Sequence, residues 1–498
     1  MQHSPQPKMR GTPALVIGSV ALLLLLAALD QTIVSTALPT IVADLGALEK
    51  LSWVVTSYIL ASTVSAPLYG KLGDLYGRRL MVYFSVGLFL IGSIACASAY
   101  TMDALIWARA LQGLGGGGLF VLALAVVGDV VPPRERGKVQ GVFAAIFSAS
   151  SVIGPLLGGW FVEYLSWHWI FMVNIPLGLL AVIGFTVGFE PRGERVHHKI
   201  DWLGAMTLSV ALATLTLFTS MGGHDVEWTS GIAIGLFTAS ILATLLFIWV
   251  ETRALEPVLP LHLFRNNVFT TTSLISLITG AAMIGTITFL PIYLQIAMGA
   301  SPTVSGLLLV PMTLGIISTS TFSGRYMGRT GKYKRLPIAG MTLLAIGSIL
   351  LSQLDVDTSR WTFGVSLLVF GFGMGFIFPV ITTAVQNAVP REHLGTATAS
   401  GVMFRQIGGS VAVAMFGTIF AVRLADGLPQ GMTLSAGELG PAALVGMPLE
   451  VRDVIASSVV NALSPIYVIV ICMVVLGLGV ALKMKEVLLT NRMVPKSE

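Results

Sequence analysis

Fourteen apolar runs, each about the length of a helix that crosses a bilayer, dictate what this chain can become. They fall at roughly 14–38, 51–70, 80–99, 103–129, 139–161, 168–189, 201–220, 230–250, 268–295, 303–323, 336–354, 361–386, 396–422 and 457–482 of the 498 residues. A water-soluble fold has no interior large enough to hide them. Hydrophobic residues make up 55% of the chain and charged residues 11%, where a soluble domain carries about 25% charged. The chain therefore reads as an all-α polytopic membrane protein with 14 transmembrane helices. Lys8 and Arg10 ahead of the first run imitate a secretory signal, but that run continues past Asp30 to about Leu38. It is too long for a cleaved apolar segment, so an uncleaved first span is expected.

An even number of spans puts both ends of the chain on one side. Of the 29 Lys and Arg residues, 23 fall in loops on that side, four (Lys50, Arg360, Arg423, Arg452) on the other, and two, Arg109 and Arg405, inside spans. Basic loops stay in the cytoplasm. Both termini are therefore expected in the cytoplasm, in a multi-pass protein of the cytoplasmic (inner) membrane. The same asymmetry accounts for the net charge of +5 without a nucleic-acid partner. Cys96 and Cys472 both lie in apolar runs, and His197-His198 stands in a polar loop without partners, so neither a disulfide framework nor a metal site is expected.

The chain repeats itself. Gly70-Lys71-x5-Gly77-Arg78 returns 254 residues later as Gly324-Arg325-x5-Gly331-Lys332. Gly113-x-Gly115-x-Gly117-x2-Phe120 returns 258 residues later as Gly371-x-Gly373-x-Gly375-x2-Phe378, and Pro133-Arg134-Glu135 returns 257 later as Pro390-Arg391-Glu392. Six spans per copy would need a shorter offset, so two extra spans are expected between the copies. The expected organisation is a six-helix bundle over 1–190, two inserted helices and an amphipathic cytoplasmic linker over 191–266, and a second six-helix bundle over 267–498. The linker from Glu251 to Asn267 is expected to lie on the membrane surface, and the segment from Ala425 to Arg452 to be a mobile external loop. Gly328 stands where the first copy has Asp74, so the two loops differ electrostatically.

Gly70-x3-Asp74-x2-Gly77-Arg78-Arg79, a tight turn between the second and third spans, resembles the signature loop of the major facilitator superfamily. Arg109-x2-Gln112-Gly113-x-Gly115 resembles that superfamily's fourth-span motif, whose arginine is linked to proton transfer. Gly154-Pro155-Leu156-Leu157-Gly158-Gly159 resembles the fifth-span motif of members that run as antiporters. Asp30-Gln31-Thr32-Ile33-Val34, Trp167-His168-Trp169-Ile170-Phe171-x2-Asn174-x-Pro176, Pro291-x-Tyr293-x-Gln295 and Arg405-Gln406-x-Gly408-Gly409 are similar to motifs of the fourteen-spanning drug:proton antiporters, the EmrB/QacA type. His168 replaces that family's usual arginine. The resemblance implies two six-helix bundles with two helices inserted between them, and a site near the midplane between the bundles. It implies no enzyme, no cofactor beyond a proton gradient, and an antiporter exporting small amphipathic compounds by alternating access. Multidrug efflux and antibiotic resistance would follow. The alternative on the same fold is an exporter dedicated to one lipid, siderophore or metabolite. Protons, a small-molecule substrate and the lipid bilayer are its partners, and a monomer suffices.

Residue depth sharpens the site. At 1.5 Å per residue, Asp30 and Arg109 both lie roughly 6 Å outward of the midplane and can meet. Asp30 is the one acid well inside a span; Asp129 and Glu163 fall at span ends, where solvated or capping roles are expected. Burial raises the pKa of a carboxyl and a nearby arginine lowers it. The Asp30–Arg109 pair is thus either a proton carrier or a static ion pair tying helices together. Tyr58, Gln112, Tyr293, Gln295, Phe376 and Arg405 are candidates for the substrate pocket. Gly113 to Gly118 also match the pattern of a dinucleotide-binding turn, but glycines inside a membrane span serve close helix packing.

Overall fold

A computed structural model of the chain describes residues 13–47, 50–189, 201–222, 226–427 and 448–489. The loop holding His197-His198, most of the segment 425–452 and both chain ends lie outside these residues. Fourteen helices are long and apolar enough to cross a membrane. The first bundle comprises α1 (Pro13–Leu45), α2 (Leu51–Tyr76), α3 (Arg78–Ala97), α4 (Met102–Val130), α5 (Pro133–Tyr164) and α6 (Asn174–Gly188). Two inserted helices follow, α7 (Trp202–Met221) and α8 (Gly231–Glu251). The second bundle comprises α9 (Asn267–Ile292), α10 (Val310–Thr330), α11 (Arg335–Ser352), α12 (Arg360–Ala388), α13 (Leu394–Gly427) and α14 (Leu449–Lys483).

Helices dominate because a backbone inside a bilayer must satisfy its own polar groups. Ends are closed by side chains: Thr101, Asp201, Ser230, Asn266 and Ser359 each accept from a backbone N–H of the helix they start. Two turns need glycine for its backbone. Gly77 (φ +91°) joins α2 to α3 and Gly331 (φ +69°) joins α10 to α11. The two are 254 residues apart and both stand at positive φ, though Gly77 is extended in ψ (144°) and Gly331 is left-handed (7°).

The glycine ridge repeats in three dimensions as well. A Cβ on Gly113 or Gly117 would run into the backbone of Tyr58 or Ser62 on α2, and one on Gly115 into Phe89 on α3. In the second bundle a Cβ on Gly371 or Gly375 would strike Met312 or Ile316 on α10, and one on Gly373 would strike Leu344 on α11. Thus α4 and α12 are each wedged between two neighbours at backbone contact, with no strand and no nucleotide turn beside them.

The bundles meet at the end that carries the turns at Gly77 and Gly331, the start of the described chain and its end at Leu489; we call this the basic face. There Gly70 packs on Gly395 and Ala399, and its repeat Gly324 packs on Gly137. The inserted α7 and α8 pack on each other, and α7 leans on both α2 and α13, one helix from each bundle. In the linker that follows, Val258, Leu259 and Leu263 are buried against Leu208, Phe247, Phe269 and Met403, while Leu255 stays exposed.

Close packing at the ridge makes a checkable prediction. Gly115→Ala pushes a Cβ into the Phe89 backbone and should cost about 1–3 kcal/mol, read as a lowered melting temperature in detergent. Gly159→Ala, where nothing lies within 4 Å, should leave melting unchanged.

Candidate functional site: a buried ion pair and a closed face

Arg109 and Gln112 lie three residues apart on α4, on one face of the helix, and the glycine ridge holds that face against α1, α2 and α3. Asp30 of α1 projects into it and is fully buried. Arg109 Nη1 donates to Asp30 Oδ2 at 2.7 Å and to Gln112 Oε1 at 2.6 Å, and its Nε donates to the Val54 carbonyl at 3.2 Å. The other carboxylate oxygen, Oδ1, accepts from Gln112 Nε2 at 2.7 Å and from Asn174 Nδ2 at 3.0 Å. Ser93 of α3 accepts from both amides, at 2.8 Å from Gln112 and 3.3 Å from Asn174. The Tyr58 ring lies 4.3 Å from the guanidinium carbon, and Phe171 lies 5.8 Å from it on another side. Five segments of the first bundle thus close on one carboxylate, through a network buried from the surface.

Burying two charges costs several kcal/mol per ion unless their remaining hydrogen bonds are satisfied. Here both oxygens of Asp30 are satisfied. Adding a proton would cancel the ion pair and replace an acceptor with a donor. The fifth-span motif packs on the same helix as Asp30: Gly154 and Gly158 of α5 pack on Thr32, Ile33 and Thr36 of α1, and Thr32 Oγ1 donates to the Ser150 carbonyl at 3.0 Å. Pro155 lies between them inside α5, while Gly159 faces open space.

A second ionic cluster closes the basic face. Asp74 accepts from the N–H groups of Gly395 (2.9 Å) and Thr396 (2.8 Å) and from the Thr396 hydroxyl (3.0 Å). Those are the first free donors of α13, in the opposite bundle, so Asp74 caps a helix more than 300 residues away. Arg78 bridges Asp74 and Asp129, donating to Asp129 from Nε at 3.0 Å. Asp129, whose place at a span end suggested a solvated or capping role, is buried and paired with Arg78; the turn at Gly77 carries Arg78 back over it. Further bonds join the bundles at this face. Arg136 donates to the Gln386 carbonyl at 3.2 Å, Gln386 to the Leu124 carbonyl at 3.0 Å, and Arg134 to the Leu489 carbonyl at 2.9 Å. Gly328, in the Asp74 position of the repeat, lies beside Arg134 and Lys138 and makes no such cap.

The pocket candidates scatter. Tyr58 and Gln112 belong to the sealed ion-pair network. Tyr293 is buried near the far face, stacked on Phe363 and donating to the Asp355 carbonyl at 2.8 Å; Gln295 is half-buried beside it. Phe376 packs edge-on against Phe322 toward the basic face. Arg405 alone lines a small cleft at the bundle boundary, about 20 Å³ in this structure, formed by α9, α12 and α13 of the second bundle and closed on the first bundle's side by Leu124 of α4, with Ser273, Ser276 and Thr382 among its hydroxyls. Ser93 and Asn174 carried no predicted role, yet both contact the central network. Asn174 could have been found, since it stands in the motif opened by Trp167; Ser93 gives no signal, because a serine in an apolar run commonly bonds its own helix. Among the described residues no cluster of His, Cys, Asp and Glu could hold a metal ion.

Comparison with known proteins fits this architecture. The Major Facilitator Superfamily model matches residues 20–413, and the chain belongs to that family: it is a membrane transporter, not an enzyme. It is 40% identical over 482 residues to an uncharacterized MFS-type transporter of Mycobacterium tuberculosis, covering 96% of this chain and 69% of that one. It is 36% identical to multidrug resistance protein 3 of Bacillus subtilis over 92% of this chain and 91% of the relative, and 39% identical to the multidrug transporter protein MdtP of the same organism over 85% and 78%. Among solved structures, the proton:xylose symporter XylE superposes with a TM-score of 0.63 at 16% identity over 95% of this chain and 96% of XylE, a likeness of fold.

The Asp74 cap yields a prediction. Asp74→Asn removes the charge from hydrogen bonds worth about 1.5–3 kcal/mol. A cysteine replacing Ala399, which packs on Gly70 at this face, should then react with a soluble maleimide at least several-fold faster than in the Asp74 parent. Equal rates would reduce the loop to a turn.

Proposed function

We propose that the protein is a proton-coupled antiporter that exports small amphipathic compounds from the cytoplasm, with Asp30 as the proton carrier. The observation that carries this reading is the buried network around Asp30. It is the one acid deep in a span, and its ionised form is tied to Arg109 at 2.7 Å. Tyr58, Cys96 and Arg109 are the titratable groups that face it, from α2, α3 and α4; from α6 it meets the neutral Asn174. Protonation breaks the ion pair, frees Arg109 and loosens α1 from α4, which favours exchange of the closed face. The multidrug names of relatives at 36–39% identity support export.

Both termini then lie in the cytoplasm of the inner membrane, because the basic face carries the positive loops. In this orientation the closed basic face is the cytoplasmic one. Proton entry supplies about 1.4 kcal/mol per pH unit and about 2.3 kcal/mol per charge per 100 mV. A cysteine at Thr330 should react with membrane-impermeant reagents only from inside, and one at Asp357 only from outside; the reverse pattern contradicts this orientation.

The test of function is Asp30→Asn in vesicles with an imposed pH gradient. Arg109 loses its counter-ion, at a stability cost on the order of 3 kcal/mol, but keeps Val54, Gln112 and the Tyr58 ring. The variant should insert, lose gradient-driven export and keep downhill movement. Asp30→Asn that exports as the parent does would falsify the assignment.

A further inference from the structure

The first bundle's buried arginine is matched to a carboxylate; Arg405, the half-buried arginine inside a span of the second bundle, is not. Among the described residues Arg405 has no hydrogen-bond or ion-pair partner. Its guanidinium carbon lies 5.3 Å from the centre of the Phe120 ring of α4 and 5.3 Å from that of Phe378 of α12. Phe120 and Phe378 are the same position of the repeat, 258 residues apart, so the cation sits between symmetry mates contributed by opposite bundles. Phe147 of α5 packs edge-on against Phe120, so the guanidinium completes an aromatic cluster to which both bundles contribute.

Ring faces cover the faces of a guanidinium and leave its N–H edge unused. That edge borders the inter-bundle cleft, where Ser273, Ser276 and Thr382 supply hydroxyls and Leu124 and Val402 supply apolar wall. No acidic side chain lines the cleft. Along α4, Arg109 and Phe120 are eleven residues apart, roughly 16 Å, so the cleft is separate from the proton site. A half-buried cation with free donors and no counter-ion, facing a cavity, is a site built for an anion.

We propose that this cleft binds substrate through Arg405 and selects amphipathic organic anions: a carboxylate paired with the guanidinium fork, and a hydrocarbon body against the apolar wall and the two phenylalanines. This inference rests on the reading of the chain as a solute exporter and narrows its substrate class. Permanently cationic compounds are disfavoured, because Arg405 repels them and nothing in the cleft attracts them. Export of a monoanion against one entering proton moves two charges in the same sense and doubles the weight of the membrane voltage.

The test is equilibrium binding to full-length protein in nanodiscs of zwitterionic lipid, with no gradient. Radiolabelled 2-naphthoate, its neutral isostere 2-naphthamide and tetraphenylphosphonium are compared on the parent, Arg405→Gln and Arg405→Lys, each checked for folding by its melting curve. The parent should bind naphthoate at least 10-fold more tightly than naphthamide. Arg405→Gln should erase that preference, and Arg405→Lys should keep most of it while losing part of the affinity with the bidentate geometry. A parent that binds none of the naphthoate, or prefers tetraphenylphosphonium, overturns the proposal. So does a naphthoate preference that survives in Arg405→Gln. Nanodiscs containing phosphatidylglycerol form a second arm: if that lipid competes with naphthoate in an Arg405-dependent way, a lipid headgroup is the occupant and the solute assignment is overturned. Binding without a gradient does not involve proton coupling, so failure here leaves the Asp30 reading standing, and failure of Asp30→Asn to lose export leaves this one.

Discussion

Backbone contact at the α4 glycines is the constraint on which the site depends. With Gly113 and Gly117 against α2 and Gly115 against α3, α4 has no room to rotate. The face that carries Arg109 and Gln112 can only point at α1. A guanidinium delivered there in hydrocarbon must find an acceptor or a counter-ion, and Asp30 provides it. The order of causes runs from small residues to helix placement, from placement to a buried charge, and from the charge to the network of Ser93, Gln112 and Asn174 that surrounds it.

Pseudo-symmetry makes the departures from it informative. The ridge, the positive φ of Gly77 and Gly331 and the contacts of Gly70 and Gly324 obey the repeat. The polar groups break it. The positions of Arg109 and Gln112 in the second copy are Leu367 and Phe370, 258 residues on, and both are buried among apolar neighbours. Asp74 becomes Gly328, so one bundle caps the other and is not capped in return. The first bundle therefore holds the ion pair and the closing cap, and the second presents a bare cation to the cleft. Equivalent halves give a fold that can rock between two similar arrangements; unequal charges give each arrangement a different response to protons and ligands.

Much of this was legible beforehand, and for physical reasons. Apolar runs report spans because lipid leaves helices few alternatives. Depth counting placed Asp30 and Arg109 at one level, and they meet because α1 and α4 are held close. What the residues could not report is contact across long separations. Asp129 reads as a span-end acid until the turn at Gly77 brings Arg78 over it. Val258, Leu259 and Leu263 read as membrane-seeking, and their contacts with Leu208, Phe247, Phe269 and Met403 do not show in the residues. Tyr293 and Phe376 read as pocket aromatics, yet each packs within the second bundle, since an aromatic in a span fits lipid, core or cleft equally well. Asn174 was visible only as part of a motif, without the carboxylate it bonds.

The central claim is that the Asp30 carboxylate is ionised while paired with Arg109 and takes up a proton when the pair opens. Infrared difference spectroscopy on protein labelled with carbon-13 aspartate reads that event without transport. Lowering the pH, or forcing the basic face open with Asp74→Asn, should raise a protonated-carboxyl carbonyl band that shifts with the label and disappears in Asp30→Asn. A band that persists unchanged in Asp30→Asn, or an Asp30 carboxylate that stays ionised across the whole pH range in both conformations, would contradict the account.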